Sequence, residues 1–207
     1  MVLNVNHLTL HRNQQAVISD LTFVITDQQK FVMQGEIGTG KSTLLLALLG
    51  FVPLHSGEIN WFGKSCRQEA DFMPLRGNTV GICFQQADDQ LFGPTVLDDV
   101  AFGCLNQGKS KAESYQIALE QLEKLGITHL KDRSVNLLSG GEKNFTALAG
   151  VLAMQPKMLL LDEPTNGLDA KNKAKLTALL QALELPMLIA SHDLAFSEVL
   201  ADEVICL

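Results

Sequence analysis

Gly35-Glu36-Ile37-Gly38-Thr39-Gly40-Lys41-Ser42-Thr43 is the stretch that indicates the fold of this chain. It matches the phosphate-binding pattern of Gly, four residues and Gly-Lys-Ser/Thr, and it lies between an apolar strand pattern at 30–34 and an apolar helix pattern at 44–49. Its glycines allow successive backbone N–H groups to bind phosphate oxygens at the start of the following helix. We therefore predict that the whole stretch binds nucleotide, with Lys41 on phosphate and the Ser42 hydroxyl on Mg²⁺. A glycine-rich turn with a solvated lysine is the alternative.

The composition favours a single cytoplasmic domain. With 207 residues and 46% hydrophobic content, the chain is long enough for one substantial core. Its net charge of -7 provides no positive excess to hold nucleic acid or an anionic lipid surface. The cysteines lack Cys-x-x-Cys spacing, which favours packed thiols in a reducing compartment. They are Cys66, Cys83, Cys104 and Cys206.

No part of the sequence predicts a membrane span or a signal peptide. The N-terminus lacks a basic region followed by a long apolar stretch. The longest apolar run, residues 44–54, contains Gly and Pro and is shorter than the roughly 20 residues that a span needs. We expect the protein to stay where it is made and to reach a membrane only through partner subunits.

Strand patterns at both ends of the chain predict two sheets. Residues 2–10 and 21–26 alternate as half-buried strands on either side of a turn at 12–15, which predicts an antiparallel N-terminal sheet. Short apolar runs predict the strands of a buried parallel sheet. These runs are residues 31–34, 80–84, 158–161, 187–190 and 204–207.

Helical periodicity dominates the middle of the chain. Ser110-Lys111-Ala112-Glu113 and Ser139-Gly140-Gly141-Glu142 both match the capping box that opens a helix. We predict an α/β fold: a P-loop NTPase core with a parallel sheet, an N-terminal antiparallel β subdomain and an inserted α-helical subdomain. The chain is then one domain, 1–207, with a core formed by 1–86 and 155–207 and a helical subdomain at 87–154.

Asp162 and Glu163 are predicted to act on the bound nucleotide. They follow an apolar strand whose carboxyl end opens beside the phosphate loop. Adjacent side chains on an extended strand point in opposite directions, so different tasks are expected. Asp162 is placed to hold Mg²⁺ together with Ser42, and Glu163 is the candidate base for an attacking water. Acidic residues that merely cap a strand are the alternative.

Leu138-Ser139-Gly140-Gly141-Glu142 has two interpretations. It is a helix-capping box, and it is also a helix start whose free N–H groups and Ser139 hydroxyl can bind an external anion. The residues alone leave both open.

Together these motifs resemble the nucleotide-binding subunit of an ATP-binding-cassette (ABC) transporter over nearly the whole chain. The motifs occur in that family's order: residues 35–43, Gln85, Leu138 to Glu142, Asp162-Glu163, Gly167-Leu168-Asp169 and Ser191-His192-Asp193. The resemblance implies ATP and Mg²⁺ as cofactors and a head-to-tail dimer in which Ser139, Gly140 and Gly141 of one subunit close on nucleotide held by the other. It also implies that Gln85 senses the γ-phosphate and metal and links to a transmembrane partner, that Asp169 lies at the dimer seam, and that His192 contacts the γ-phosphate.

The resemblance extends to a subgroup of the family. Residues 84–103 resemble the ATPases of energy-coupling-factor importers, and residues 147–154 are similar to the cobalt and nickel branch of that group. The expected protein is an ATPase on the inner face of the cell membrane, with a homodimer favoured.

Three features depart from the family pattern. Arg12 stands where an aromatic residue usually contacts adenine, Asn144-Phe145 replaces a commonly basic pair, and the last strand is cut short at Leu207.

Two other functions compete with transport. One is a soluble cassette ATPase of DNA repair or translation, although such proteins usually show tandem cassettes, a coiled coil or a basic surface. The other is a small-molecule phosphoryl transferase, which would leave Ser139 and its glycines without a task.

Overall fold

The computed structural model of the chain describes residues 1–36 and 38–207, so the predicted phosphate contact of Ile37 lies outside the described residues. The described part forms an antiparallel sheet, a parallel sheet and a set of helices. The strands are β1 Leu3–Arg12, β2 Gln15–Ile25, β3 Lys30–Gln34, β4 Ser56–Trp61, β5 Lys64–Cys66, β6 Val80–Cys83, β7 Met158–Asp162, β8 Met187–Ser191 and β9 Glu203–Cys206. The helices are α1 Lys41–Leu48, α2 Glu69–Phe72, α3 Val96–Asn106, α4 Lys111–Lys124, α5 Gly140–Ala153, α6 Ala170–Ala182 and α7 Leu194–Leu200.

The parallel sheet positions the phosphate loop. Its strand order is β6-β7-β8-β3-β9, and every neighbouring pair runs parallel. The antiparallel sheet has the order β2-β1-β4-β5. This arrangement confirms the predicted α/β fold with a parallel core sheet and an N-terminal antiparallel part.

The parallel sheet has a hydrophobic core on each face. Successive side chains of β7 alternate between them, with Leu159 and Leu161 in one core and Met158 and Leu160 in the other. The first core contains the buried faces of α3, α4 and α5. The second contains α1 together with residues of both sheets, which is why α1 is apolar on almost every face.

The strand β2 begins earlier than predicted. The turn is confined to Asn13 and Gln14, whose φ angles of 50° and 65° are both positive, and Arg12 pairs directly with Gln15. Two residues with positive φ form the tight hairpin whose twist matches its strands, so pairing continues to the turn itself. The polar residues from Gln15 onward are therefore strand and not loop.

The two predicted capping boxes differ. At α5, Ser139 accepts from the Glu142 N–H and the Glu142 side chain accepts from the Ser139 N–H, so the box is complete. At α4, the Ser110 hydroxyl accepts from the Glu113 N–H, but the exposed Glu113 carboxylate makes no return bond in the described structure. The prediction at α4 is therefore correct for the N-cap and wrong for the reciprocal bond.

The cysteine prediction is wrong at one position. Cys66 and Cys104 are buried and Cys83 is partly buried, but Cys206 is exposed. Cys206 lies on β9, which is an edge strand of the parallel sheet and has a neighbour only at β3 in the described structure.

Trp61 provides a test of the packing around α1. Its ring is 1% exposed and its Nε1–H donates to the Leu48 carbonyl, in the last turn of α1, at 2.8 Å. Trp61→Phe should lower the free energy of unfolding by about 1–3 kcal/mol, because that carbonyl loses its buried partner. Urea titration followed by circular dichroism measures the change, since Trp61 is the single tryptophan. Phe62→Leu, on the partly buried neighbouring ring, is the control and should cost less. Equal stability of Trp61→Phe and wild type would contradict the assigned bond.

Candidate functional site

A cleft of about 400 Å³ opens at the carboxyl ends of the parallel strands. The turn after β3, the start of α1, the end of β7 and the end of β8 meet there, as expected for an open α/β sheet. The cleft contains most of the predicted site. Its lining residues are Arg12, Val17, Gly38, Gly40, Lys41, Ser42, Thr43, Gln85, Glu163, Asn166 and His192.

Lys41 is held inside the phosphate loop. Its side chain is 6% exposed, and Nζ donates to the carbonyls of Gly35 at 2.6 Å and Glu36 at 3.0 Å. The Glu36 carbonyl also accepts from Thr39 Oγ1 at 3.0 Å. Gly35, Glu36 and Thr39 do not line the cleft, whereas Lys41 does. The ammonium of Lys41 is the buried positive charge to which a phosphate can bind.

Gly40 has φ of 100°, a value that favours glycine, and it forms the N-cap of α1. A Cβ at Gly40 would lie 3.2 Å from the Val17 carbonyl, on β2. The loop thereby packs against the antiparallel sheet, and the first residues of α1, whose N–H groups have no partner within the helix, line the cleft.

Glu163 is buried and bonded on both sides. Its Oε2 accepts from the His192 backbone N–H at 3.2 Å and lies 2.8 Å from His192 Nδ1, while Oε1 lies 3.6 Å from Lys41 Nζ. Its φ of 47° shows that it has left the extended strand, so the prediction that Asp162 and Glu163 point in opposite directions along one strand is wrong at Glu163. The turn instead directs the carboxylate toward Lys41 and His192.

Asp162, the last residue of β7, is 7% exposed, and its Oδ1 has no hydrogen-bond partner among the described residues. Burial raises the pKa of Asp162, and the charge of Glu163 acts in the same direction, whereas the Ser42 hydroxyl and Lys41 act against it. An unpartnered buried carboxylate oxygen beside a serine hydroxyl is a donor set that suits Mg²⁺. The residues present therefore fit a divalent cation.

The start of α5 lies apart from this cleft. Ser139 and Gly140 are exposed, and Ser139 and Gly141 line a separate cavity with Gly126 and His129. A Cβ at Gly140 would meet no atom of the described residues within 4 Å. Both interpretations of this motif remain compatible with the fold, since the capping box uses the Glu142 N–H and leaves those of Gly140 and Gly141 without a partner among the described residues.

Arg133 stabilises the start of α5 through two hydrogen bonds. Its guanidinium donates to Glu142 Oε1 at 2.8 Å and to the Leu137 carbonyl at 2.7 Å. The hydrogen bond from the Ser139 N–H, followed by the Arg133 charge, lowers the pKa of Glu142. The carboxylate therefore stays ionised and holds the capping box closed.

Of the other predicted residues, Gln85 and His192 lie in the cleft and Asp169 does not. Asp169 is the N-cap of α6, where its carboxylate accepts from the Asn172 N–H at 2.8 Å. Arg12 is exposed at the rim of the cleft, beside Val17. Asp88 is exposed in the 3-10 turn Ala87–Asp89 and pairs with Lys143.

Sequence reasoning missed Val17 and Asn166. The Asn166 N–H donates to the Glu163 carbonyl at 2.9 Å and so closes the turn that follows β7. An Asn three residues after the carboxylate pair is a turn signal that could have placed it there. Val17 carried no such signal, because its place in the cleft depends on packing of β2 against the phosphate loop.

Residues 18–166 match the family of the ABC transporter. The chain belongs to this family. A Haemophilus influenzae protein described as an uncharacterized ABC transporter ATP-binding protein is 66% identical, over 100% of this chain and 94% of its own length. The cobalt import ATP-binding protein CbiO of Rhodobacter capsulatus is 40% identical, over 90% of this chain and 68% of its own.

A solved structure of CbiO1 from Clostridium perfringens, described as part of the ABC transporter complex CbiONQ, matches with a TM-score of 0.89 at 34% identity. The match covers 99% of this chain and 84% of that one. This chain is therefore an ABC transporter ATP-binding subunit that hydrolyses ATP. The phosphoryl-transferase alternative is wrong, and the soluble repair or translation role is not favoured.

One local feature of this ABC ATPase is the environment of Phe145. Phe145, at the place of a commonly basic residue, is 3% exposed, and Lys175 Nζ lies 4.7 Å from its ring centroid. A cation from α6 thus covers the ring at that position. Among the described residues no helix is long and apolar enough to cross a membrane.

Proposed function

We propose that this ATPase powers an importer of the energy-coupling-factor type, for cobalt, nickel or a related small nutrient, from the inner face of the cell membrane. The observation that carries the mechanism is the separation of the ATP cleft from the exposed start of α5. The cleft contains a phosphate loop and a candidate base but no second anion-binding helix start. We infer that the start of α5 from a second copy of the chain completes the cleft. The CbiO and CbiO1 relatives support the transporter type.

In the cleft, the chain's own groups divide the work. The loop N–H groups and Lys41 bind the phosphates, and Lys41 exchanges its contacts with the Gly35 and Glu36 carbonyls for phosphate oxygens. Ser42, Asp162 and Gln85 would hold Mg²⁺, which when bound offsets the charge of the phosphate oxygens. ATP and Mg²⁺ are then both required for turnover.

Glu163 is the proposed base. Its Oε2 is held by two groups of His192, so its orientation does not depend on nucleotide. It accepts the proton of the water that attacks the γ-phosphate, while the exposed part of His192 contacts that phosphate. Lys41 lies close enough to Glu163 to keep both side chains in place until the phosphates arrive.

Closure of the dimer completes each site. The Ser139 hydroxyl and the N–H groups of Gly140 and Gly141 bind the γ-phosphate held by the second copy, and Asp169 at the start of α6 lies at the seam. Residues 87–154 act as the helical subdomain that carries Ser139, and 1–86 with 155–207 as the core. We favour a homodimer, because one chain contains every motif of a working site.

A mixing experiment tests the shared site. Gly140→Asp has room for its side chain and favours the start of α5, but it places a carboxylate where phosphate would bind. Lys41→Ala and Gly140→Asp should each be inactive alone, and their mixture should recover roughly a quarter of the wild-type rate, because mixed dimers of a two-fold symmetric pair retain one intact site. Phosphate release measures the recovery.

The control for this experiment is a chain that carries both substitutions. Mixed with either single variant, it forms no dimer with an intact site, so activity should stay absent. No recovery in the mixture of single variants would contradict the shared site, because sites confined to one chain are damaged in both partners.

Arg12 is the proposed adenine contact. A guanidinium can stack on a base, and Arg12 lies at the cleft rim where Val17 provides an apolar wall. Arg12→Ala should weaken ATP binding about 5- to 30-fold, corresponding to a lost contact of about 1–2 kcal/mol, with kcat unchanged. ATP titration by calorimetry measures the affinity. The control is Arg67→Ala, on an exposed arginine that pairs with Glu58 and does not line the cleft. An unchanged dissociation constant for Arg12→Ala would remove the adenine role.

The transmembrane partner is proposed to dock on a groove of about 390 Å³ between α3 and α5. Its rim includes Phe92 and Phe102, which are 64% and 42% exposed and meet edge to face at 4.5 Å. Exposed aromatic side chains beside a groove suit a helix of a membrane subunit.

Co-purification and transport assays test the transporter role. Tagged chain isolated from detergent-extracted membranes should bring down multi-span proteins, and vesicles that contain the complex should take up Co²⁺ or Ni²⁺ when ATP is supplied. Co-purification with ribosomes or DNA repair proteins alone would contradict the transporter role.

A further inference from the structure

Gln85 lies in a short segment between β6 and a 3-10 turn, Ala87–Asp89. Gln85 itself is exposed and reaches both the ATP cleft and the small cavity beneath it, which Asp162 also lines. Nothing about an exposed glutamine on a loop fixes where it points. The contacts that orient it must come from the residues on either side.

The Gln90 side chain makes hydrogen bonds to two parts of the chain, the residue before Gln85 and helix α5. Its Oε1 accepts from the backbone N–H of Phe84 at 3.3 Å, and its Nε2 donates to the Ala147 carbonyl on α5 at 3.4 Å. One partly buried amide therefore joins Phe84, which lies between β6 and Gln85, to the middle of α5.

A second contact joins the same segment to the first turn of α5. Asp88, in the 3-10 turn, pairs with Lys143, whose side chain is 17% exposed against 70% for Asp88. The turn after Gln85 and the start of α5 are thus linked by a charge pair whose cation is largely covered by the fold. Between them, Gln90 and Asp88 attach Gln85 to α5 on its two sides.

We propose that Gln90 is a positioning residue for ATP hydrolysis, which keeps Gln85 in register with the start of α5. Because Gln90 joins this segment to α5, a shift of α5 carries Gln85 with it. Helix α5 begins at Gly140, so Gln85 in one ATP site moves together with the helix start that the same chain supplies to the second ATP site of the dimer. Gln90 also lines the groove between α3 and α5, next to Ala147, so a helix bound in the groove bears directly on this amide. This inference rests on the proposed role of Gln85.

Gln90→Met tests the link, since methionine is similar in size and makes neither bond. Gln90 does not line the ATP cleft, so the KM for ATP should stay within about twofold of wild type while kcat falls about 3- to 30-fold. Gln85→Ala should lower kcat as well. In the Gln85→Ala background, Gln90→Met should add less than about twofold, because residues that act through one another are not additive.

The assays use the purified chain, alone and with its co-purified membrane subunits. Gln86→Met is the matched control: the same residue type, exposed in the same segment, and expected to keep the wild-type kcat. Thermal unfolding of each variant shows whether the fold is kept, and Gln90→Glu, which keeps the acceptor for Phe84 and loses the donor to Ala147, should fall between wild type and Gln90→Met.

Three results would overturn the positioning role of Gln90. An effect of Gln85→Ala on kcat without one of Gln90→Met would overturn the inference and leave the role of Gln85 in place. Equal effects of Gln90→Met in both backgrounds would show independent action and also overturn it. An unchanged kcat in Gln85→Ala would overturn the role of Gln85 itself, and this inference with it.

Discussion

Glu163→Gln is expected to slow ATP hydrolysis by roughly 10² to 10⁴ and to leave ATP binding intact. Glutamine has the size of glutamate and can still accept from the His192 N–H, so the turn after β7 keeps its shape. It cannot accept a proton from water, and this is the step that the proposed base performs. Steady-state phosphate release and equilibrium ATP binding, measured on the same preparation, separate the two effects.

Glu198→Gln is the matched control for this prediction. It makes the same chemical change at an exposed glutamate of α7, the helix that follows His192. Its rate should equal that of wild type. Full turnover by Glu163→Gln would remove Glu163 from its role, and a loss of ATP binding in that variant would assign it to holding nucleotide instead.

Lys41→Ala is expected to weaken ATP binding roughly 30-fold or more, as truncating one partner of a buried charge pair costs about 2–5 kcal/mol. The ammonium is buried among loop carbonyls and Glu163, so in the variant the phosphates meet the Glu163 carboxylate without the intervening cation. Hydrolysis should fall with binding. Calorimetric titration with ATP and Mg²⁺ measures the affinity directly.

Lys124→Ala provides the comparison, because it removes an exposed lysine at the end of α4. Its ATP affinity should match wild type. Thermal unfolding should also be recorded for Lys41→Ala, since the Gly35 and Glu36 carbonyls lose their donor. An unchanged ATP affinity in a folded Lys41→Ala protein would contradict the phosphate contact.

Local pattern was sufficient to predict the parts of the site that lie close together in sequence. The phosphate loop combines a strand, a turn and a helix within about a dozen residues, and each has its own residue preferences. The complete capping box at Ser139 and Glu142 is likewise a contact over three residues. The fold class followed from the alternation of these elements, together with the resemblance of the motifs to a known family.

Contacts between distant segments could not be predicted in this way. The pairing of β7 with β8 brings His192 beside Glu163, and the pairing of β3 with β8 brings both beside the phosphate loop from more than a hundred residues away. Gln90 makes two bonds that no spacing rule anticipates, one of them to a carbonyl 57 residues away. Burial of Cys206 was predicted from its residue type, but the edge position of β9 determined its exposure.

The two cores on opposite faces of the parallel sheet have no member in common among the described residues. Substitutions of the side chains under α3, α4 and α5 are therefore expected to affect the packing of α1 and its phosphate loop little. The groove between α3 and α5 could therefore be redesigned to accept a different helix without repacking the helix that carries Lys41.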